Sequence, residues 1–357
     1  MKHRHFHDPD KNIANVLIIY KDFQADPTKK ASHVGLGNNA LMTQKVLRKN
    51  GVHCDILGAA NVEAIRSYLD KPNTPHYTHA FIQGLWISTL DTKLLCDDYA
   101  NIHWLVRNHS QVSFLQYDSN GFKLIREQMR LQDQLPNFHV TANNTRFCRT
   151  FQEVYQNHCI YLPNLYDAAR PYHTSRNPHN SRTLKIAAFG ALRAQKNLAT
   201  AAFAALLIGQ RTNRHVEFWM NCGREGGEAY LLKTIGQMYE NVPYASLKFF
   251  PWAGWDEFRL TVSTMDLLLA PTYSETFCIT AADACAERVP VVGSSAVEWL
   301  PRDWMADTDD VEDVAERGIK LLGHPNAGLI GYDALVKHQH EAVRLWLEYL
   351  DKSPLHV

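Results

Sequence analysis

Short apolar segments recur along this chain, and they restrict its fold more than any other feature. In the first half they are Asn15–Tyr20 (NVLIIY), Cys54–Leu57, Ala80–Ile87, Ile102–Val106 and Phe138–Ala142. A continuous apolar segment of this length predicts a strand that is buried on both faces, as in a parallel sheet. Between the first two segments, residues from about Asn38 to Asn50 have a helical pattern that ends at Gly51. We therefore expect right-handed β-α-β units.

A linker interrupts this series near the middle of the chain. Residues 168–182 (AARPYHTSRNPHNSR) are rich in Pro, Ser, Asn and His and have no apolar period. The apolar segments resume at Leu184–Phe189, Val216–Met220, Leu247–Phe250, Asp266–Ala270 and Val289–Val292. The pattern predicts an α/β protein with two Rossmann-like domains, 1–167 and 184–330, joined by a linker at 168–183. The apolar spacing of Tyr332–Leu350 predicts a long last helix, within 331–357, that packs back towards the first domain.

Composition limits the classes of protein that this chain could belong to. Its 357 residues are enough for two domains with a cleft between them. No stretch approaches the ~18 uninterrupted apolar residues of a membrane-spanning helix, and the opening MKHRHFHDPDK lacks the apolar core of a signal peptide. We therefore expect a cytoplasmic protein. The 7 cysteines include no Cys-x-x-Cys pair, so neither a disulfide framework nor a zinc site is indicated.

Charge is divided unevenly between the halves, although the formal net charge is zero. Up to Arg170 there are 19 Lys and Arg against 15 Asp and Glu, and after it there are 18 against 22. The halves therefore carry +4 and −4. This balance slightly favours an anionic partner for the first half, but it falls well short of the basic surface expected of a nucleic-acid-binding protein.

A glycine and two cations follow the strand predicted at Leu184–Phe189. The sequence FGALRAQKN places Gly190 at the turn, and Arg193 and Lys196 before a helix. Free backbone N–H groups at a helix start and fixed positive charge are what a diphosphate needs. A turn from strand through glycine to helix is also common without any ligand, but the two cations favour a phosphate site.

Two carboxylates characterise a more specific motif, Ala270–Asp283 (APTYSETFCITAAD). A strand delivers Glu275 to the start of the next helix, where backbone N–H groups from Thr276 onward point outward. Asp283 lies in an otherwise small and apolar helix, where an unpaired charge is costly. Either Glu275 complements the helix dipole and Asp283 pairs with a cation such as Arg288, or both carboxylates accept hydrogen bonds from sugar and ribose hydroxyls.

These motifs together resemble the donor domain of the retaining glycosyltransferases in the glycogen-synthase-like and sucrose-synthase-like GT-B group. That family carries a Gly-Arg-x-x-x-x-Lys phosphate loop, and later a pair of glutamates eight positions apart ahead of a Val-Pro-Val-Val strand, which here is Val289–Val292. The segment Leu162–Asp167 (LPNLYD) is similar to the family's Pro-Asn-Gly-Val-Asp segment. The resemblance is close over the C-terminal half and weaker over the first domain.

The resemblance implies a GT-B fold, in which two Rossmann-like domains face each other across a cleft. It also implies a nucleoside diphosphate sugar donor, a UDP-sugar, with no further cofactor and no metal ion. Lys196 matches the family's diphosphate lysine, and Glu275 matches its donor-sugar carboxylate. The predicted donor site also contains Gly190, Thr276 and Phe277.

Two positions depart from the family pattern. Ala191 replaces the arginine that follows the glycine, so Arg193 would supply that positive charge. Asp283 replaces the second glutamate and is one methylene shorter, which affects its reach to a ribose. The run Ser-Glu-Thr-Phe with Ala-Ala-Asp looks like a subset of the group common in viral and environmental genomes, for which the cytoplasm would be that of the host.

The first domain offers two further site predictions. Residues 32–39 (SHVGLGNN) follow the first strand, and Gly35 and Gly37 there predict a glycine-rich loop that faces the donor phosphates and the acceptor. His109 follows the strand Ile102–Val106, so it emerges at the carboxyl edge where open α/β sheets bind ligands. His109 either lines the acceptor cleft or is structural. In the second domain, the turn at residues 221–227 (NCGREGG) either touches the nucleotide or is a loop without a ligand.

The resemblance implies a reaction that retains the anomeric configuration, by front-side attack without a protein nucleophile. Lys196 and Arg193 would stabilise the leaving diphosphate. Two other functions stay open: a nucleotide-sugar epimerase of the same fold, and a catalytically degenerate nucleotide- or glycan-binding protein. The acceptor is either a hydroxymethylated DNA base, as in phages, or a glycan, and nothing in the sequence indicates an oligomeric state.

Overall fold

The first apolar series forms one parallel sheet. The computed structural model of the protein describes residues 14–22, 34–168, 182–222 and 229–352. Its N-terminal strands are β1 (Asn15–Lys21), β2 (His53–Ala59), β3 (His79–Gln83), β4 (His103–Asn108), β5 (Phe138–Ala142) and β6 (Ile160–Tyr161). In the described part of the chain they pair in the order β2-β1-β3-β4-β5-β6, all in parallel. Both faces of this sheet are covered, which is why its central strands are apolar at successive positions.

Helices connect these strands and cover the sheet. They are α1 (Val34–Lys49), α2 (Val62–Leu69), α3 (Thr89–Asp98), α4 (Val112–Leu115), α5 (Ser119–Gln132) and α6 (Thr145–Tyr155). Several begin at a capping side chain, such as Asn144, whose amide oxygen accepts a hydrogen bond from the Phe147 N–H at 3.1 Å.

The second apolar series forms another parallel sheet. Its strands are β7 (Thr183–Ala188), β8 (His215–Cys222), β9 (Ala245–Pro251), β10 (Leu267–Leu269) and β11 (Val291–Val292), in the order β11-β10-β7-β8-β9 within the described residues. The helices are α7 (Leu198–Thr212), α8 (Ala229–Tyr239), α9 (Trp255–Ser263), α10 (Ile279–Ala286), α11 (Val311–Gly323) and α12 (Ala327–Lys352). The two predicted series of β-α units are therefore both present.

Element boundaries differ from the sequence predictions where single residues intervene. The strand predicted to reach Ile87 ends at Gln83, because Gly84 adopts a left-handed φ of 88° and turns the chain. The last strand begins at Val291 because Pro290 has no N–H to donate to a ladder. Helix α1 begins at Val34 instead of near Asn38.

The last helix, α12, packs against the first sheet. Ala342, Trp346 and Leu350 share a buried cluster with β1 and β3 residues, including Ile18 and Phe81. The Trp346 indole N–H donates to the backbone carbonyl of Pro163 at 2.8 Å. Most of the predicted linker, residues 169–181, lies outside the described residues, so the domain boundaries remain predictions. No helix within the described residues is long and apolar enough to cross a membrane.

Candidate active site

The two halves enclose a main cavity of about 280 Å³ at the carboxyl ends of their strands. The N-terminal half contributes Gly35, Leu36, Asn38, Asn39, His109 and Asn164. The C-terminal half contributes, among others, Gly190, Ala191, Arg193, Lys196, Asn221, Trp252, Trp255, Glu275, Thr276, Phe277, Cys278 and Asp283. The structure therefore brings together every predicted site residue except Gly37, which is absent from this lining.

A turn after β7 places Lys196 in the main cavity. Gly190 has a φ of 135°, a backbone conformation that side chains rarely allow. Its N–H donates to the side-chain oxygen of Asn221 at the end of β8, at 2.9 Å. A single 3₁₀ turn, Ala194–Lys196, then precedes α7. The prediction of a turn at Gly190 thus has a physical basis, because this turn requires the conformational freedom of glycine.

Lys196 and Glu275 form an ion pair in the cavity wall. Their side chains are only 24% and 17% exposed, so solvent screens the pair weakly. Burial alone would lower the pKa of Lys196, but the Glu275 carboxylate reverses this and raises it. Burial would likewise raise the pKa of Glu275, but the Lys196 charge and hydrogen bonds from Lys196 and backbone N–H groups lower it. Both groups are therefore charged at neutral pH.

Backbone N–H groups support the Glu275 carboxylate. The Thr276 N–H donates to a carboxylate oxygen at 3.2 Å, and the backbone of Cys278 also contributes. Helix α10 begins at Ile279, three residues later than the helix start predicted near Thr276. The reason is local, since Cys278 adopts a left-handed φ of 61° and interrupts the helical path.

Asp283 has polar partners, but not the one that we expected. Its Oδ1 accepts hydrogen bonds from the Tyr166 hydroxyl at 2.5 Å and the Trp255 indole N–H at 3.1 Å. Burial raises its pKa to about 6, although these bonds and the charge of Arg259 oppose the shift. The pairing with Arg288 is wrong, because the Arg288 guanidinium lies over the Tyr332 ring instead. Asp283 nevertheless lines the main cavity, as the donor-site prediction requires.

Arg193 extends across the boundary between the two halves. Its guanidinium lies 5.6 Å from the centre of the Phe114 ring on α4, within the range of a cation–π contact. Arg193 lines the main cavity together with Ala191, the position where the resembled family has its arginine. Arg193 therefore places a positive charge at this wall, although the family's arginine stands at the position of Ala191.

His109 lies directly after β4 and is held by two amide side chains. Its Nε2 is 2.7 Å from the Gln83 side-chain oxygen, and its Nδ1 is 3.3 Å from the Asn143 side-chain nitrogen. Burial, and then the positive charge of Arg107, hold its pKa well below the usual range. His109 is therefore a neutral imidazole at physiological pH.

The predicted glycine-rich loop after β1 is wrong as a loop. Gly35 and Gly37 lie in the first turns of α1, because the helix extends back to Val34. Gly35 lines the main cavity, whereas a Cβ on Gly37 would lie 3.8 Å from the Tyr20 ring. Residues 32–33, and residues 223–227 of the second glycine-rich turn, lie outside the described residues, although Asn221 reaches the cavity.

A side cavity of about 220 Å³ adjoins the main cavity. It is lined by Ser110, Gln111, Phe114, Gln195 and Ser274, and it shares Leu36, His109, Arg193, Lys196, Glu275 and Thr276 with the main cavity. Both cavities therefore meet at the Lys196–Glu275 pair.

Three hydrogen bonds near this junction connect the halves. The Gln111 amide donates to the Glu275 carbonyl at 3.0 Å, and the Asn143 amide donates to the Thr276 hydroxyl at 3.1 Å. The hydroxyls of Ser113 and Ser274 are 2.6 Å apart. The N-terminal half thus contacts the backbone and side chains of the carboxylate motif directly.

Asn221 belongs to the turn for which the sequence left nucleotide contact open, and it lines the main cavity. Trp252 was not among the predicted site residues, although its position directly after β9, at a carboxyl edge, could have identified it. Asn39 and Asn164 carried no such signal, because one lies inside α1 and the other in a connection. Among the described residues, no group of three or more His, Cys, Asp or Glu side chains could hold a metal ion.

Solved structures share this architecture at low sequence identity. A sucrose-phosphate synthase from Thermosynechococcus elongatus is 16% identical with a TM-score of 0.65, and the match covers 94% of this chain and 98% of that one. HepE from Anabaena, solved with UDP-glucose, is 11% identical with a TM-score of 0.62, over 94% and 99% of the two chains. No protein-family model and no curated protein sequence matches the chain.

A variant of TarM from S. aureus, solved with UDP, is 13% identical with a TM-score of 0.56. That match covers 77% of this chain, which spans only 55% of the TarM chain. Together the three structures confirm the α/β GT-B fold that the sequence resemblance implied.

Proposed function

We propose that this protein is a glycosyltransferase that moves a sugar from a nucleoside diphosphate sugar, a UDP-sugar, to a hydroxyl acceptor. One observation carries the proposal: Lys196 and Glu275 form an ion pair where two cavities meet between the halves of a GT-B fold. A transferase needs a donor and an acceptor to meet at one point. Charged groups at that point can act on the bond that breaks.

The donor occupies the main cavity in this proposal. Its diphosphate contacts Lys196 and Arg193, which stabilise the negative charge that develops as the sugar leaves. Both cations are held by partners before any ligand binds, Lys196 by Glu275 and Arg193 by the Phe114 ring. Such preorganised charge is usually the largest single contribution that a protein makes to this kind of step.

Carboxylates recognise the rest of the donor. Glu275 accepts hydrogen bonds from the sugar hydroxyls, next to the Thr276 and Phe277 backbone. Asp283 accepts from the ribose. Its hydrogen bonds from Tyr166 and Trp255 both reach the same oxygen, Oδ1. Trp252 and Trp255 line the same region and offer aromatic surface to the base.

The acceptor occupies the side cavity, with its hydroxyl towards His109. Because His109 is neutral, its Nδ1, which lies 3.3 Å from the Asn143 amide nitrogen, can accept a hydrogen bond from that hydroxyl instead and orient it. The reaction breaks the bond between the sugar C1 and the diphosphate oxygen and forms a bond from C1 to the acceptor oxygen. The acceptor proton passes to the departing diphosphate. This front-side route retains the configuration and needs neither a protein nucleophile nor a metal ion, as the family resemblance implies.

Two acceptor classes fit the proposal, a glycan and a hydroxymethylated base in DNA. The +4 charge of the first half is compatible with the anionic DNA backbone. The amide and hydroxyl groups of the side cavity suit a glycan equally.

A transfer assay tests the proposed function. The purified full-length chain is incubated with a panel of nucleotide sugars and acceptors, including glycans and DNA with hydroxymethylated bases, with and without EDTA. Mass spectrometry should detect a glycosylated acceptor and free nucleoside diphosphate in both conditions. Release of an epimerised free sugar without a glycosylated product would identify an epimerase. Nucleotide binding without any turnover would identify a degenerate binding protein, and loss of activity in EDTA would contradict metal independence.

A further inference from the structure

Arg107 is a fully buried arginine at the end of β4, behind the main cavity. Its Nη1 donates to side-chain oxygens of Asn39 at 2.8 Å and Gln83 at 3.3 Å. Its Nη2 donates to the Leu162 carbonyl at 3.0 Å and the Asn164 side-chain oxygen at 2.9 Å. All four acceptors are neutral.

A second buried arginine, Arg259, differs from Arg107 because it has a charged partner. Arg259 has 1% side-chain exposure and pairs with the carboxylate of Glu287, whose side chain is also inaccessible. No carboxylate of the described residues pairs with Arg107, and its Nε has no hydrogen-bond partner there. Burial lowers the pKa of Arg107 to about 9, so it remains a cation at neutral pH. Its guanidinium lies over the Trp346 ring, 5.2 Å from the ring centre, but a buried cation without a countercharge still reduces stability.

The chemistry of a guanidinium fixes the orientation of its partners. Arginine has only N–H donors and no acceptor. Asn39 and Asn164 must therefore turn their side-chain oxygens towards Arg107, and their NH₂ groups point away from it. The Asn143 amide, which also donates to the Asn164 oxygen at 3.1 Å, agrees with this orientation. No described residue accepts a hydrogen bond from either NH₂ group, and both residues line the main cavity.

Because Arg107 only donates hydrogen bonds, it also orients the Gln83 amide, and Gln83 in turn determines which nitrogen of His109 carries the proton. The Gln83 side-chain oxygen faces both Arg107 and the His109 Nε2, so it accepts from each. His109 must then carry its proton on Nε2, which leaves a lone pair on Nδ1. The Asn143 amide nitrogen, 3.3 Å from Nδ1, agrees with this tautomer.

We infer that Arg107 is a positioning residue that sets the hydrogen-bond polarity of the N-terminal wall of the main cavity. It makes Asn39 and Asn164 present N–H donors to oxygen atoms of the bound molecule, and it holds His109 in the Nε2–H tautomer. The identity of that molecule, a nucleoside diphosphate sugar, rests on the proposed function. The inference about the His109 tautomer does not depend on the proposed function.

Nitrogen NMR of the full-length protein with ¹⁵N-labelled histidine tests the tautomer. The His109 signals are those that disappear in His109→Asn. They should show the Nε2–H form in the native protein and a shift towards the Nδ1–H form in Arg107→Leu, since Gln83 is then free to flip. Arg126→Leu, which removes an arginine that lines neither cavity, is the control. An Nδ1–H form in the native protein, or an unchanged tautomer in folded Arg107→Leu, would overturn the inference.

Asn164→Asp tests the donor wall without removing Arg107. The new carboxylate can pair with Arg107, so the melting temperature should be unchanged or higher. It also replaces an N–H donor in the cavity by an acceptor, so the affinity for UDP should fall by about tenfold or more, with little change for uridine. The matched control is Asn61→Asp, at the cap of α2.

Unchanged UDP affinity in Asn164→Asp, or an equal loss for uridine, would contradict the donor wall. If the native protein does not bind UDP at all, the proposed function fails, and the tautomer experiment still decides the role of Arg107.

Discussion

Lys196 and Glu275 hold each other in the charged state at the junction of the two cavities. Each would otherwise be shifted towards its neutral form by burial. The pair therefore keeps a cation ready for a diphosphate and an acceptor ready for hydroxyl groups before any ligand arrives. Mutating one member of the pair at a time can distinguish their roles, because Lys196 and Glu275 are proposed to contact different parts of the donor.

Lys196→Ala should weaken the binding of free UDP. The variant loses a charge-assisted contact to phosphate, which is worth about 1.5–3 kcal/mol. Titration calorimetry measures the change directly, and Lys320→Ala, at an exposed position on α11, is the control. Equal UDP affinity in Lys196→Ala and the native protein would remove Lys196 from the diphosphate site.

Glu275→Gln should keep the fold but lose most transfer activity. Glutamine is nearly isosteric, but it accepts hydrogen bonds from sugar hydroxyls less strongly and cannot balance the Lys196 charge. We expect turnover to fall by about 10²-fold or more, with a circular dichroism spectrum like that of the native protein. Near-native turnover with the best donor from the panel would leave Glu275 with a purely structural role in the segment before α10.

His109→Ala should reduce transfer to the acceptor much more than it reduces nucleotide binding. A positioned acid, base or orienting group contributes about 10²–10⁴ in rate, whereas His109 is not proposed to hold the nucleotide. Turnover and UDP affinity are measured on the same preparation. A parallel fall in both, or a lower melting temperature with normal activity per folded molecule, would show that His109 serves packing.

His79 should make the protein less stable in acid. It is fully buried beside the rings of Phe81 and His103, and burial, then the charge of His103, lowers its pKa to about 3. The unfolded chain binds this proton below about pH 6.5, whereas the folded chain does not. Stability is therefore complete above pH 6.5 and decreases towards pH 3, by up to about 1.4 kcal/mol per pH unit from this group.

His79→Leu should accordingly flatten the dependence of unfolding free energy on pH between 6.5 and 3. Urea unfolding at several pH values measures the slope. His340→Leu, exposed on α12, is the control because its histidine is solvated in both states. The same slope in His79→Leu and the native protein would show that the acid sensitivity comes from other groups.

Local sequence determined the order of the elements and the position of the central charges. Segments in which successive residues are apolar specify strands that are covered on both faces, and all ten predicted segments correspond to strands of the two sheets. Lys196 and Glu275 were identifiable because each lies within a short motif next to a strand end. Such patterns depend on neighbours along the chain, and those are visible in a single sequence.

The tertiary structure alone decided which distant groups meet. Tyr166 and Asp283 are 117 positions apart, and no local pattern indicated that a tyrosine would replace the expected Arg288. Asn39, Arg107 and Asn164 likewise come from a helix, a strand and a connection, and only their packing shows that one guanidinium orients two cavity amides. Hydrogen bonds of this kind depend on a few tenths of an ångström and on side-chain direction, and both arise only when the sheets are assembled.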